Sequence, residues 1–286
     1  MTARPEIALV GPGRLGSALA LALTNAGYKI REIVAQNNSN AGVLRLSRAV
    51  KATPESMQSA KLDADLVWFC VPDREIAAVA RKVASGKSWK GKIAFHSSGA
   101  LASDELDFLR LRAATVASVH PFMTFVRGST PPLNGVPFAL EGDAKAVGIA
   151  GRIVRDLGGQ SFTLDKRNKA AYHAWGGFAS PLIIALLASA ERVASLAGFS
   201  SADARNKMLP IVRQTIANYA KLGAAAAFTG PLVRADAAVV SEHLRVLQQL
   251  PLAREVYLVL ARAALKTIPV QDKNAIEKII RPDSRQ

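Results

Sequence analysis

Cysteine is almost missing from this sequence: Cys70 is the single one in 286 residues. No disulfide framework can form within the chain. Its place inside the apolar run Leu66 to Val71 reads as a buried strand residue in a reducing compartment, so a cytoplasmic protein is expected. The start, Met1 to Glu6, has no apolar core between a basic end and a small-residue cleavage site, so export is not expected either. Ala170 to Ala190 is free of charge but carries Tyr172, His173, two glycines, Ser180 and Pro181, and makes a poor bilayer span. No cluster of His, Cys, Asp and Glu has metal-ligand spacing, so no metal is expected. Internal repeats are absent as well.

Acidic residues are few, 22 against 37 basic ones, giving a formal net charge of +15. Nucleic acid would be the obvious partner for such a balance. The excess is spread evenly, however: +7 over residues 1–160 and +8 over residues 161–286. No run of five basic residues occurs, and the short cluster Lys87 to Lys92 lacks interleaved aromatic platforms. A polyanionic small molecule is the better match. Hydrophobic residues at 50% and charged residues at 21% are ordinary globular usage.

The first half alternates short apolar runs with helical periodicity. Strands are expected at Ile7 to Val10, Ile30 to Ala35, Leu66 to Val71, Ile93 to His96, Thr115 to Val119, Phe138 to Glu141 and Ser161 to Leu164. Several are continuously apolar, as strands covered on both faces should be. Helices fit Leu15 to Ala26, Ala41 to Val50, Arg74 to Ala84, Ser103 to Arg110 and Ala144 to Leu157. This predicts an α/β fold with a doubly wound, mostly parallel Rossmann-type sheet over residues 1–164. From Asp165 only helical blocks remain, at Asp165 to Ala197, Ala202 to Leu222, Leu232 to Gln249 and Pro251 to Thr267, so residues 165–286 are expected to form an all-helical domain. A kink is expected near Gly176 and Gly177, before Pro181. The stretch Leu182 to Leu187 is apolar all round, which predicts burial on every side and a homodimer through this domain. The tail from Arg281 to Gln286 is polar and should fray.

Gly11-Pro12-Gly13-Arg14-Leu15-Gly16 follows the first strand and opens the first helix, the context and spacing of a dinucleotide-binding turn. Gly11 would permit the tight turn, Gly13 a close approach of backbone to a diphosphate, and Gly16 close packing of helix on strand. At the end of the second strand, where NAD binders carry an acid, stand Gln36, Asn37, Asn38 and Ser39. Nothing there repels a 2′-phosphate, the three polar residues can donate to it, and Arg45 or Arg48 can supply charge, so NADP is favoured over NAD. An ordinary polar loop beside a solvated helix face is the plain alternative.

Val71-Pro72-Asp73 ends the third strand, and His96-Ser97-Ser98-Gly99-Ala100 and His120-Pro121 end the next two on the same edge. They converge where a nicotinamide ring is expected, with Ser97 and the 71–73 segment beside the cofactor, Ser98 orienting substrate and His120 contacting it. Lys169 and His173, four apart on one helix face, are the first candidates for the acid that protonates a carbonyl or imine, with Tyr172 on a neighbouring line. Arg234 could clamp a substrate carboxylate with Asp236 near it, although a local ion pair and a helix cap explain the same residues.

These motifs, together with Thr124-Phe125, Thr229 to Arg234, Asp236 and His243, resemble bacterial two-domain proteins with a Rossmann-like first half and a second half known as domain of unknown function 2520. The resemblance spans nearly the whole chain. That family looks related to pyrroline-carboxylate reductase, deazaflavin-dependent NADP oxidoreductase and the beta-hydroxyacid dehydrogenases. In the last group a lysine on the first interdomain helix donates the proton, and Lys169 is the matching position. Two departures stand out: the family usually has Ser-Asn at Ser180-Pro181 and Arg-Gly-Asp at Arg234-Ala235-Asp236. The implied activity is NADP-dependent hydride transfer to or from a small carbonyl, imine or alcohol bound between the domains. A nucleotide-binding sensor or partner-binding protein without turnover is the alternative.

Overall fold

The computed structural model describes residues 4–269 and 272–281. Its elements run β1 (Ile7–Val10), α1 (Arg14–Asn25), β2 (Ile30–Ala35), α2 (Ala41–Ala49), β3 (Thr53–Ser56), β4 (Leu66–Phe69), α3 (Ile76–Ala84) and β5 (Ile93–His96). Then come α4 (Asp107–Arg110), β6 (Thr115–Pro121), β7 (Pro137–Gly142), α5 (Ala144–Asp156) and β8 (Gln160–Thr163). Helices follow: α6 (Lys169–Ala179), α7 (Pro181–Ala194), α8 (Ser201–Ala227), α9 (Ala237–Val246), α10 (Pro251–Thr267) and α11 (Lys273–Ile280). The polar tail expected to fray lies, beyond Arg281, outside the described residues. Two compact units divide the chain, Met1–Phe178 and Ala179–Gln286, so α6 belongs with the sheet.

The eight strands are ordered β3-β2-β1-β4-β5-β6-β7-β8, and every pairing is parallel except β6 with β7. The chain leaves β1 toward β2 and β3, then crosses back to place β4 on β1's other side. That reversal is the switch point where the carboxyl ends of an open sheet leave a crevice. All four residues of β1, β4 and β5 are buried, because successive side chains enter opposite cores. Ile7 and Leu9 pack in one cluster with Leu19, Leu23 and Ile153, while Ala8 and Val10 pack in the other with Ile76, Val83 and Trp89.

Some expectations need correction. β3 was not expected: it is a short edge strand, Thr-Pro-Glu-Ser, with no apolar alternation to mark it, and an edge tolerates its proline. The kink expected near Gly176 and Gly177 is not there. α6 runs through both glycines and ends at Ala179, and Ser180 (φ −136°, ψ −78°) turns the chain so that Pro181 starts α7 at a first-turn position where its missing N–H costs nothing. The segment Lys166–Ala197 is long and apolar enough to cross a membrane, with mean hydropathy 1.4, but it is two helices joined at that break. α7 has no buried residue within this chain. α9 begins at Ala237 rather than Leu232, and α11 was not anticipated.

In the second unit a small core of Val240, Leu244, Leu258, Ala261, Leu265 and Ile276 joins α9, α10 and α11. Just before α9, Ala235 has φ +54°. An L-residue in that left-handed region loses about 1–2 kcal/mol, partly offset by the extra unfolded-state entropy of a glycine. Ala235→Gly should therefore stabilise the protein by up to about 1 kcal/mol; a lowered denaturation midpoint would contradict this strain.

Candidate active site

The glycine turn is shaped by what a side chain would hit. Gly11 has φ +92°, and a Cβ there would lie 2.7 Å from Val71 Cγ1. A Cβ on Gly16 would overlap the Gly11 carbonyl oxygen and reach 3.0 Å from Cys70 Cβ, so only glycine lets α1 sit this close to β1 and β4. Around Gly13 the space is open: apart from its chain neighbours, no atom lies within 4 Å of where a Cβ would stand. The turn is closed by Gly13 N–H donating to Gly11 O (2.8 Å) and by Ser17 Oγ donating to Pro12 O (3.0 Å). No side chain caps the start of α1, and no acid lies in its first turn. The N–H groups of Arg14, Leu15 and Gly16 thus face outward from a helix start without a side-chain partner.

After β2, Asn37, Asn38 and Ser39 form a turn in which Asn37 Oδ1 accepts the Ser39 N–H (3.0 Å) and Asn40 caps α2. Arg45 and Arg48 are exposed. Glu32, the acid within β2, is buried and accepts the Leu62 N–H. Pro72 is extended (φ −54°, ψ 144°) and delivers Asp73 to the end of β5, where its carboxylate accepts the Ser98 hydroxyl (2.7 Å).

Ser98 is fully engaged: besides donating to Asp73, its Oγ accepts the N–H groups of Ala100 and Leu101. Ser97 accepts the Trp68 indole N–H at 2.8 Å. Beside it, burial pushes the Cys70 thiol up to about 12, so this cysteine stays protonated and inert.

Lys169 is the centre of the site. Only 2% exposed, its ammonium donates to the Ser98 carbonyl (2.9 Å) and to Ser118 Oγ (2.5 Å). Burial pulls its pKa down to about 8, with the carboxylates of Glu141 and Asp73 opposing the fall. Two histidines stand near it. His96 accepts the Ser98 N–H at Nδ1, so its Nε2 carries the proton and donates to Ala102 O. Burial, then the Lys169 charge, lowers His96 to about 4. His120 is lowered to about 4 by burial first and then by Lys169 and His173. Its Nδ1 lies 2.7 Å from the Tyr172 hydroxyl, and burial raises that phenol. With Tyr172 donating, His120 Nε2 bears the ring proton. A Cβ on Gly99 would come 2.8 Å from that nitrogen and 2.9 Å from His173 Cδ2, so Gly99 keeps a gap between the two rings.

The structure therefore brings together Asp73, His96, Ser98, Gly99, His120, Lys169, Tyr172 and His173 from the sequence reading, and adds Ser118. Tyr172 was marked by its spacing to Lys169; Ser118 sits in a buried strand with no signal to mark it. Arg234 and Asp236 belong to the second unit. Asp236 caps α9 through the Val239 N–H and, among the described residues, forms no ion pair with the exposed Arg234. Among the described residues no group of three or more His, Cys, Asp or Glu could hold a metal ion.

Comparison with known proteins divides the chain differently, the second match beginning before β7 within the first unit. Residues 1–121 match the Rossmann-like domain and residues 136–264 match the Domain of unknown function (DUF2520). The chain thus carries both domains of the two-domain family its motifs resemble, in the same order. A Bacteroides fragilis protein named as a candidate NADP oxidoreductase is similar over 91% of this chain and 97% of its own, at 21% identity and TM-score 0.76. A Thermotoga maritima protein is similar over 95% and 98%, at 22% identity and TM-score 0.72. A reductive aminase from Aspergillus terreus, in complex with NADPH and ethyl-5-oxohexanoate, is similar over 96% and 99%, at 16% identity and TM-score 0.66. At identities this low the structural likeness shows the fold alone. No curated protein matches the sequence.

The electrostatics predict a clean histidine titration. As pH falls from 7 to 5.5, below the Lys169 step near 8, the NMR ring signals of His96 and His120 should show no titration of their own, because both remain neutral until about pH 4. A midpoint near the ordinary 6.5 for either would contradict the burial described here.

Proposed function

We propose that the protein is an NADP-dependent oxidoreductase that moves a hydride to or from a small carbonyl, imine or alcohol, and that it works in the cytoplasm. The observation that carries this reading is Lys169, a buried ammonium depressed to about 8 at the carboxyl edge of a sheet whose first turn presents uncapped backbone N–H groups.

The residues present fit the cofactor. Gly11, Pro12, Gly13, Arg14, Leu15 and Gly16 would hold the diphosphate: the free N–H groups at the start of α1 and the open side of Gly13 suit an anion pressed against main chain. Asn37, Asn38 and Ser39, in a turn without a carboxylate, would take the 2′-phosphate, with Arg45 and Arg48 supplying positive charge. Val71, Pro72, Asp73 and Ser97 would border the nicotinamide end. When bound, NADPH supplies the hydride.

The chain's own groups would manage the proton. Lys169, held by Ser98 and Ser118, donates to the heteroatom of the reduced bond and is reprotonated from solvent. The neutral His120–Tyr172 pair presents an N–H donor that can polarise the same heteroatom, and His173 borders the gap at Gly99. Ser98 acts by position, tying Asp73 and Lys169 to one turn. In the second unit Asp236 is spent on its cap, while the exposed Arg234 forms no ion pair among the described residues. The NADPH-bound aminase of the same fold, crystallised with a keto ester, supports a carbonyl or imine substrate.

The homodimer belongs to this reading. Leu182, Ile184, Leu186, Ile211, Ile216 and Leu252 in the second unit are each at least 42% exposed, an apolar surface that a second copy would cover. A monomer in sedimentation equilibrium would remove it.

Lys169→Met should lower NADPH-dependent turnover of a carbonyl or imine by about 10²–10⁴-fold while leaving NADPH affinity intact, the size of effect expected for a general acid. The acid must carry its proton to act. Reduction by the unsubstituted enzyme should therefore be level below pH 8 and fall above it as Lys169 deprotonates. Unchanged turnover in the variant would overturn the assignment.

A further inference from the structure

The segment Lys87-Ser88-Trp89-Lys90-Gly91-Lys92 is a dense patch of positive charge that the site just described does not use. It joins α3 to β5, and Lys61 to Asp65 lead into β4. Both connections enter parallel strands, so they lie at the amino end of the sheet, opposite the glycine turn.

There Lys61, Lys87 and Lys92, with Ser88 and Trp89, line a concavity of about 330 Å³ whose only carboxylate is Asp63. Among the described residues none of the three lysines forms an ion pair. Two are fixed in place all the same. Lys92 Nζ donates to the carbonyls of Leu62 (2.7 Å) and Ala64 (3.0 Å), and Lys87 Nζ donates to Val83 O (2.9 Å) in the last turn of α3. An ammonium has three N–H groups, so each lysine keeps at least one donor to give. Trp89 is 1% exposed and its indole N–H has no hydrogen-bond partner, an unusual state for a buried donor.

Three ammoniums against one carboxylate leave the concavity with a net positive charge of two, and the spare donors call for an acceptor rich in lone pairs. A phosphate dianion meets both requirements, whereas chloride or a single carboxylate leaves charge uncompensated. We propose that this concavity binds a phosphate dianion, either inorganic phosphate or the terminal group of a small phosphate monoester. The site is separate from the NADP reading and does not depend on it.

The test is an N–H NMR titration of the full chain at constant ionic strength, with the Trp89 indole signal identified by its loss in Trp89→Phe. Inorganic phosphate and methyl phosphate are the two probes, and chloride is the control. The expected result is a saturable shift of the Trp89 indole and of the Lys87 to Lys92 amides with at least one phosphate probe, and none with chloride. Tighter binding of methyl phosphate assigns the monoester, and equal or weaker binding assigns free phosphate. The double substitution Lys61→Gln with Lys87→Gln, which spares the carbonyl contacts of Lys92, should weaken binding about tenfold or more. Overturning results are a shift that never saturates, an equal shift with chloride, shifts confined to the glycine turn, or unchanged affinity in a double variant that still melts like the parent protein.

Discussion

The closeness of α1 to the ends of β1 and β4 is the constraint on which the rest of the first unit depends. A single methyl group at position 16 would collide with the Gly11 carbonyl and press on Cys70, so the helix could not begin where it does. Because it begins there, its unpaired N–H groups open at the switch point of the sheet, the one place where strands diverge and leave room for a ligand. Val71 packs against Gly11 on one side of that opening, and Asp73, two residues on, reaches Ser98 at the end of the next strand. Backbone geometry at one strand end is thereby passed to the next through contacts rather than through flexible loops.

The charge balance around Lys169 follows from the same edge. Its ammonium is taken out of water and answered by a carbonyl and a hydroxyl rather than by a contacting carboxylate, since Asp73 and Glu141 act on it only as nearby charges. That holds its pKa close to neutral. The same burial, and the positive charge itself, hold His96 and His120 neutral. A buried lysine beside two neutral histidines is an arrangement suited to giving up a single proton.

Much of this was legible in the residues, for physical reasons. Strands covered on both faces must be apolar throughout, which marked β1, β4 and β5, and the glycine spacing at residues 11, 13 and 16 stated the turn. Lys169, Tyr172 and His173 were visible as one helical neighbourhood because spacing of three and four residues fixes a shared face. What was hidden is what spacing does not encode. β3 is polar and lies at an edge, so no apolar period announces it. Ser118 matters through tertiary position alone. The helix break moved from Gly176 and Gly177 to Ser180, because a glycine only permits a bend whereas a proline constrains the residue before it. In the second unit the apolar character of α7 was legible, but what covers it was not, since α7 has no buried residue within this chain.

The central claim is that an uncapped helix start beside an acid-free turn grips a dinucleotide carrying a third phosphate. Thermal melting with NADPH, with NADH and with neither tests it most directly, because a ligand present at about 100 times its dissociation constant adds about 2.7 kcal/mol to stability. The account predicts a clear rise with NADPH and a smaller one with NADH at equal concentration. Equal shifts from both would contradict the role given to Asn37, Asn38 and Ser39, and no shift from either would contradict the claim itself.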